Sequence, residues 1–137
     1  MKTIVVGYDS TEPSERALGR AGDLAVAFGS TVIVTSVSPV MTGTAHGGGS
    51  IDPTDPPEEH EALLGGAKRT LADRGIDAEV VLATGHPAEA IVQLAEERGA
   101  DLIVVGTREP GLMERLLGHS VSAAVQRQAE CDVLIVH

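Results

Sequence analysis

Several polar side chains that could contact a small ligand come directly after apolar runs of the sequence. Asp9 and Ser10 follow the first such run, and Gly106 and Thr107 stand at the end of a later one. Glycine lets a backbone approach an anion closely, and the free amides at the start of a helix point towards an anion. Residues of these types at the ends of apolar runs favour binding of a small polar molecule.

Patterns typical of enzymes and metal centres do not occur in the sequence. The Gly-x-Ser-x-Gly turn that presents a nucleophilic serine is absent. His46, His60 and His86 have no histidine, cysteine or carboxylate at the spacing of metal ligands, and exposed positions on loops or helices are the simplest interpretation of all three. We therefore predict neither a catalytic residue nor a metal site.

Size and composition indicate one domain that spans residues 1–137. A chain of 137 residues supports a single core, and its 42% hydrophobic content is almost purely aliphatic, with one Tyr, one Phe and no Trp. The net charge of −10 argues against binding to nucleic acid or to an anionic membrane, because both reward clustered Lys and Arg side chains.

The cysteine content and the apolar runs bear on cellular location. Cys131 is the single cysteine, so no internal disulfide can form and a reducing compartment is favoured. The apolar run after Met1 is too short for a signal peptide, and no run reaches the length of a membrane span. We expect a cytoplasmic protein in which Cys131 is a buried structural thiol.

Short apolar runs alternate with amphipathic segments along the chain. Strands are predicted over 3–8, 31–37, 78–83, 101–106 and 132–136. Helices are predicted between Pro13 and Gly29, between Asp55 and Gly75, between Ala88 and Gly99, and from about Ser120. The first helix would carry Phe28 on its apolar face. We expect the glycine-rich segment 40–54 to be a mobile surface loop.

This alternation predicts a doubly wound parallel sheet of the α/β class, because the connections have the length of right-handed crossovers. In such sheets, ligands bind beyond the carboxyl ends of the strands, at the point where the strand order reverses. Tyr8, Asp9, Ser10 and Val37 would then share one crevice with the loop that starts at Gly106. This crevice is the predicted binding site.

Three stretches of the sequence resemble the universal stress protein family. They are IVVGYD at residues 4–9, DLIVVGT at 101–107, and the ending that runs from Ser120-Val121 to CDVLIV at 131–136. Together they are specific, and the resemblance covers essentially the whole chain. It implies a single three-layer domain of the adenine nucleotide alpha hydrolase-like kind, with a five-stranded parallel sheet in strand order 3-2-1-4-5 and helices on both faces.

The nucleotide-binding branch of that family carries a glycine loop after the fourth strand. Its pattern is Gly-x-x-Gly, nine further residues, and then Gly-Ser or Gly-Thr, with amides and a hydroxyl that grip the phosphates. Gly106 and Ser120 match the first and last positions of this pattern. Glu109 and His119 stand where two glycines belong, so the loop departs from the family pattern at two positions.

A shifted register would let Gly111 and Gly118 serve in the loop, but it breaks the spacing. A Glu109 carboxylate within about 4 Å of a phosphate would oppose binding by roughly 4 kcal/mol at an effective dielectric constant near 20. Arg108, Arg115 or a protonated His119 could offset part of this repulsion. The sequence therefore predicts a remodelled loop.

The resemblance also implies which residues contact the nucleotide. Asp9 would face the adenine, and the backbone of Val37 would contact the base. The full set of implied contacts is Tyr8, Asp9, Ser10, Val37, Gly106, Thr107, Arg108, Gly111, Gly118, His119, Ser120, Val121 and Ser122. From the residues alone, Asp9 could equally cap the following helix, and Ser120 could be a helix N-cap instead of a phosphate donor.

The fifth predicted strand would lie at an edge of the sheet. It contains Val133, Leu134, Ile135 and Val136, and bare strand edges are a liability that proteins usually cover. Members of the family commonly dimerise through this strand, so the resemblance implies a homodimer. The alternative is an edge that the preceding helix shields.

The resemblance implies a stress-response homodimer that binds an adenine nucleotide, which could be ATP, AMP or cyclic AMP, without obligatory turnover. Glu109 and His119 favour the alternative, a nucleotide-free dimeric module whose surface engages partner proteins. Slow ATP hydrolysis has the least support, since no residue is evidently placed to activate water.

Overall fold

This computed structural model describes residues 1–38, 40–41, 50–51, 57–107 and 121–137. In chain order, the described elements are β1 (Thr3–Gly7), α1 (Glu12–Phe28), β2 (Thr31–Ser38), β3 (Val40–Met41), β4 (Ser50–Ile51), α2 (Pro57–Ala72), β5 (Ala78–Thr84), α3 (Pro87–Arg98), β6 (Leu102–Gly106), α4 (Val121–Gln128) and β7 (Asp132–Val136). Among the helices of these ranges, none combines the length and the apolar character that a membrane crossing requires.

Five strands form one parallel sheet in the spatial order β5-β2-β1-β6-β7. Numbered along the chain within this sheet, the order is 3-2-1-4-5, as predicted. Val6 of β1 pairs with Val34 of β2 on one side and with Val104 of β6 on the other. The central strands β1 and β6 are rich in β-branched and aliphatic residues, as expected where helices cover both faces of a parallel sheet.

The core has two halves, one on each face of the sheet. Ile4 and Val6 of β1 pack with Leu18 of α1 and Leu71 of α2 in the first half. Val5, on the opposite face, belongs to the second half, which contains side chains from α3 and α4. Alternate residues of a strand point to opposite faces, so one short strand supplies both halves.

Phe28 differs from the sequence-based expectation. It is not on the buried face of α1, because 59% of its surface is exposed. It is the last residue of α1, followed by Gly29 in the left-handed conformation at φ 67°. Within the segment 40–54, for which a mobile surface loop is predicted, Val40–Met41 pairs with Ser50–Ile51 as short antiparallel strands. The rest of that segment lies outside the described residues.

Candidate functional site

One cavity of about 410 Å³ opens at the carboxyl ends of three neighbouring sheet strands, β1, β2 and β6. The start of α1, a residue of α2, part of α3 and the first turn of α4 complete its walls. The strand order reverses between β1 and β6, so the cavity occupies the place where ligands bind in doubly wound sheets. Its volume lies in the range of small-molecule sites.

Many of the sequence-predicted site residues meet at this cavity. Those that line it are Tyr8, Asp9, Val37, Gly106, Thr107, Val121 and Ser122. Ser10 is exposed and is not part of the lining. It adopts a positive φ of 65° in the turn beside Asp9. Arg108, Gly111, Gly118, His119 and Ser120 lie outside the described residues, as does Glu109.

The buried polar side chains of the described residues are concentrated around the cavity. They are Ser14, Thr35, Ser36, Ser38, His60 and Ser122, and all but Ser38 line it. A buried polar group is costly unless it has a hydrogen-bond partner, so these groups are seldom placed without a reason. Their gathering at one cavity distinguishes this region from the aliphatic core.

The Asp9 carboxylate is held in place by the turn that precedes α1. Its Oδ1 accepts hydrogen bonds from the Thr11 amide at 3.1 Å and from the Thr11 hydroxyl at 2.6 Å. Thr11, not Asp9, is the N-cap of α1, and its side chain accepts a bond from the Ser14 amide. Within the described residues Oδ2 of Asp9 accepts no hydrogen bond, so this oxygen can contact a ligand.

Tyr8 lines the cavity, and its phenol is already engaged. Its hydroxyl donates a hydrogen bond to the Glu15 carboxylate, and its ring packs in the core half that contains α1 and α2. Its backbone amide donates to the carbonyl of Thr35 at 2.9 Å. Tyr8 therefore fixes the start of α1 and the end of β2 relative to β1.

The environment of Tyr8 predicts an unusual alkaline titration. Burial, followed by the hydrogen bond and the charge of Glu15, raises the pKa of Tyr8 above its ordinary value of 10.0. Because the folded-state pKa exceeds the unfolded value, the neutral phenol stabilises the fold below that unfolded value. This stabilisation is lost as the pH rises through the folded-state pKa.

Ultraviolet absorbance of tyrosinate tests this expectation, because Tyr8 is the only tyrosine of the chain. We expect no ionisation of the folded protein near pH 10, whereas the protein in denaturant should titrate at about that pH. Tyr8→Phe removes the signal and serves as the control. A folded protein that titrates like the denatured one would contradict the assigned environment.

His60 is the clearest correction to the sequence analysis. Instead of an exposed position, it has 6% of its surface exposed and lines the cavity from α2. Its Nδ1 and the Ser36 hydroxyl of β2 form a hydrogen bond of 2.5 Å. Spacing along the sequence gave no signal for this pair, because the two residues meet only when α2 packs on the sheet.

Thr35 is the neighbour of Ser36 on β2, and the two hydroxyls differ in their hydrogen bonding. It is 1% exposed, and its Oγ1 has no hydrogen-bond partner in the part of the chain that the structure describes. Thr35 was not among the residues predicted for the site, because a threonine inside an apolar run is typical of an ordinary strand position.

Glycines at two strand ends allow close packing beneath the cavity. A Cβ at Gly7 would lie 3.0 Å from Ile91 Cδ1 and 3.2 Å from Val105 Cγ1. A Cβ at Gly106 would lie 2.4 Å from the carbonyl carbon of Pro13 and 2.5 Å from its oxygen. Gly106 is therefore required for the contact between β6 and the first turn of α1, whether or not a ligand is bound.

The described residues contain no group of three or more His, Cys, Asp or Glu side chains that could hold a metal ion. The titratable side chains that line the cavity are Tyr8, Asp9 and His60. Each of them makes a hydrogen bond with a neighbouring side chain. In this form the site can offer hydrogen bonds and apolar contacts to a ligand.

Comparison with known proteins places these features in a family context. The model of the universal stress protein family matches residues 1–137. Universal stress protein Rv1636 of Mycobacterium tuberculosis is 36% identical over 147 aligned positions, which cover 99% of this chain and 96% of that protein. Universal stress protein YxiE of Bacillus subtilis is 47% identical over 75 residues, which are 54% of this chain and 50% of that protein.

Two solved structures add ligand information about their own proteins. A universal stress protein in complex with cAMP is 33% identical in sequence and superimposes with a TM-score of 0.77. The alignment covers 99% of this chain and 97% of that protein. The universal stress protein from Archaeoglobus fulgidus in complex with dAMP is 25% identical, with a TM-score of 0.76 and 100% and 98% of the two chains aligned.

Proposed function

The chain belongs to the universal stress protein family, and we propose that it binds an adenine nucleotide in the cavity at the carboxyl ends of β1, β2 and β6. The observation that carries this proposal is the gathering of buried polar side chains around a cavity of about 410 Å³. The relatives that were solved with cAMP and dAMP support an adenine nucleotide as the ligand class.

In the proposed orientation, the base lies near Asp9 and Val37, and the phosphate lies near Gly106, Thr107 and the start of α4. Asp9 can accept a hydrogen bond through Oδ2, and an exocyclic amino group is a suitable donor. The phosphate end is supported by the first turn of α4, where Val121 and Ser122 line the cavity. Helix N-termini favour anions because their amides lack partners within the helix.

The proposed role is binding without turnover. Hydrolysis would need a general base within reach of the water that attacks the phosphate. In the proposed orientation, Asp9 and the hydrogen-bonded pair of His60 and Ser36 lie on the side of the base, and the Tyr8 hydroxyl is bonded to Glu15. This arrangement supports a site that holds its ligand and leaves it unchanged.

We also propose a homodimer through β7, an edge strand of the sheet. Val133, Leu134 and Ile135 are only partly buried, so this edge offers apolar side chains beside its free backbone groups. At the opposite edge, Glu79 of β5 forms an ion pair with Arg98, and such charges protect an edge from pairing. Sedimentation should give a dimer at micromolar concentration, and a monomer would contradict this part of the proposal.

The proposed location is the cytoplasm, in line with the single cysteine. Cys131 is partly buried, and burial raises the pKa of its thiol. A thiol with a raised pKa carries little of the reactive thiolate at neutral pH, which supports a structural role.

Calorimetric titration of the purified protein with ATP, AMP and cyclic AMP tests the proposed function. We expect at least one of the three to bind with a dissociation constant below one millimolar. Including Asp9→Ala makes the test specific to this cavity, because the variant removes a side chain that lines it.

A further inference from the structure

The Thr35 hydroxyl is a buried polar group whose hydrogen-bonding capacity the described residues leave unused. It lies on β2, lines the cavity, and has no hydrogen-bond partner in the described ranges. Its neighbour Ser36, which is equally buried, bonds to His60. An unpaired hydroxyl that is removed from water costs free energy, and a ligand that supplies the missing partner recovers it.

We propose that the Thr35 hydroxyl hydrogen-bonds to the base of the bound nucleotide and thereby selects for it. This inference rests on the proposed function, because it assigns a further contact within the same cavity. It adds a residue that the sequence analysis did not include among the ligand contacts.

The position of Thr35 in the sheet points to the base and not to the phosphate. Thr35 and Val37 are two residues apart on β2, so their side chains point to the same face. β1 separates β2 from β6, which puts Thr35 about 10 Å from the end of β6. The proposed phosphate contacts, Gly106 and Thr107, are at that distant end.

The surroundings of Thr35 suit a flat ring that carries a polar atom. Thr35 pairs with Gly7 in the sheet, and the missing side chain of Gly7 brings Ile91 and Val105 close to the backbone. Ile91 and Val105 therefore supply apolar contacts on the side of Thr35 where Gly7 lies. Thr35 itself lines the cavity, so its hydroxyl is available to a polar atom of a ring held there.

Three variants separate the hydroxyl from the shape of the side chain. Thr35→Val keeps the shape and removes the hydroxyl, whereas Thr35→Ser keeps the hydroxyl. Thr31→Val is the matched control, because Thr31 is an exposed threonine at the start of the same strand. We expect Thr35→Val to weaken AMP binding by about tenfold without lowering the midpoint of thermal unfolding. Thr35→Ser and Thr31→Val should bind like the unchanged protein.

AMP analogues that lack the exocyclic amino group or a single ring nitrogen locate the contact. We expect the unchanged protein to bind one analogue more weakly than it binds AMP. The Thr35→Val variant should bind that analogue and AMP with equal affinity. Such a coupling between residue and ligand atom identifies a direct interaction. If every analogue lost the same affinity relative to AMP in the unchanged protein and in Thr35→Val, the assignment of this contact to the base would be overturned.

The remaining outcomes are also decisive. Unchanged AMP affinity in Thr35→Val would overturn this inference and leave the proposed function intact. An equal loss in Thr35→Ser and Thr35→Val, or a lower unfolding midpoint of Thr35→Val, would show that Thr35 has a structural role instead. If the unchanged protein binds no nucleotide, the proposed function and this inference both fail.

Discussion

Gly106→Ala is expected to destabilise the protein by about 1–3 kcal/mol, the usual range for an atom forced into a close-packed region. The added Cβ would lie 2.4 Å from the backbone carbon of Pro13, so either β6 or the start of α1 must move. Backbone atoms cannot rotate away as a flexible side chain can. Unfolding in urea, followed by circular dichroism, measures the change.

The same substitution within α2 provides a control of opposite sign. A Cβ at Gly65 would have no atom within 4 Å, and Gly65 lies in the interior of this helix. Gly65→Ala should stabilise the protein by about 0.5–1 kcal/mol, because alanine favours the helix over the unfolded chain. If Gly106→Ala were as stable as the unchanged protein, or were stabilised as Gly65→Ala is expected to be, the packing assigned to Gly106 would be wrong.

The result for Gly106 also affects the interpretation of the glycine loop. Gly106 matches the first glycine of the family pattern, which favoured a role in phosphate binding. In the structure, the contact with Pro13 is by itself a sufficient reason for glycine. The match at this position is therefore weaker support for a nucleotide than the position of Gly106 in the cavity wall.

The sheet could be predicted from the sequence because its signals are local. Central strands of a parallel sheet are covered on both faces, and continuous apolar runs such as 102–105 reflect this. Gly29 and Gly99 marked the ends of α1 and α3, and both adopt the left-handed conformation expected of a helix stop. The strand order came from the family resemblance, and the pairings confirm it.

The candidate site could be predicted only in part, because several of its contacts are not local. Asp9 and Val37 were found from their positions at strand ends, and both line the cavity. His60 and Ser36 are 24 residues apart, and neither shows a pattern in the sequence that would join them. Thr35 looked like an ordinary β-branched strand residue, and the absence of a partner for its hydroxyl is visible only in three dimensions.

Phe28 shows why helix periodicity alone can mislead at a helix end. It continues the spacing of Ala21 and Ala25, which are buried, but it is exposed. α1 runs antiparallel to the strands, so its last turn lies beside the beginning of β1. The Ser30 hydroxyl donates to the carbonyl of Met1 there, which places Phe28 at the rim of the sheet.

Removal of the Asp9 carboxylate should markedly lower the affinity for the nucleotide. Its Oδ1 is fixed by Thr11, which leaves Oδ2 oriented for the ligand without a further loss of side-chain entropy. A hydrogen bond to a charged group contributes about 1.5–3 kcal/mol, so Asp9→Ala should weaken binding by at least about tenfold. Asp132→Ala removes the same charge from an exposed position at the start of β7, at the opposite end of the sheet, and should have no effect.

The most direct test of the account is calorimetric titration of the unchanged protein, Asp9→Ala and Asp132→Ala with ATP, AMP and cyclic AMP. We expect binding of at least one nucleotide with a submillimolar dissociation constant, a marked loss in Asp9→Ala, and no loss in Asp132→Ala. No binding of any of the three at millimolar concentration would contradict a nucleotide site in this cavity. Equal affinity of all three proteins would show that the nucleotide binds elsewhere.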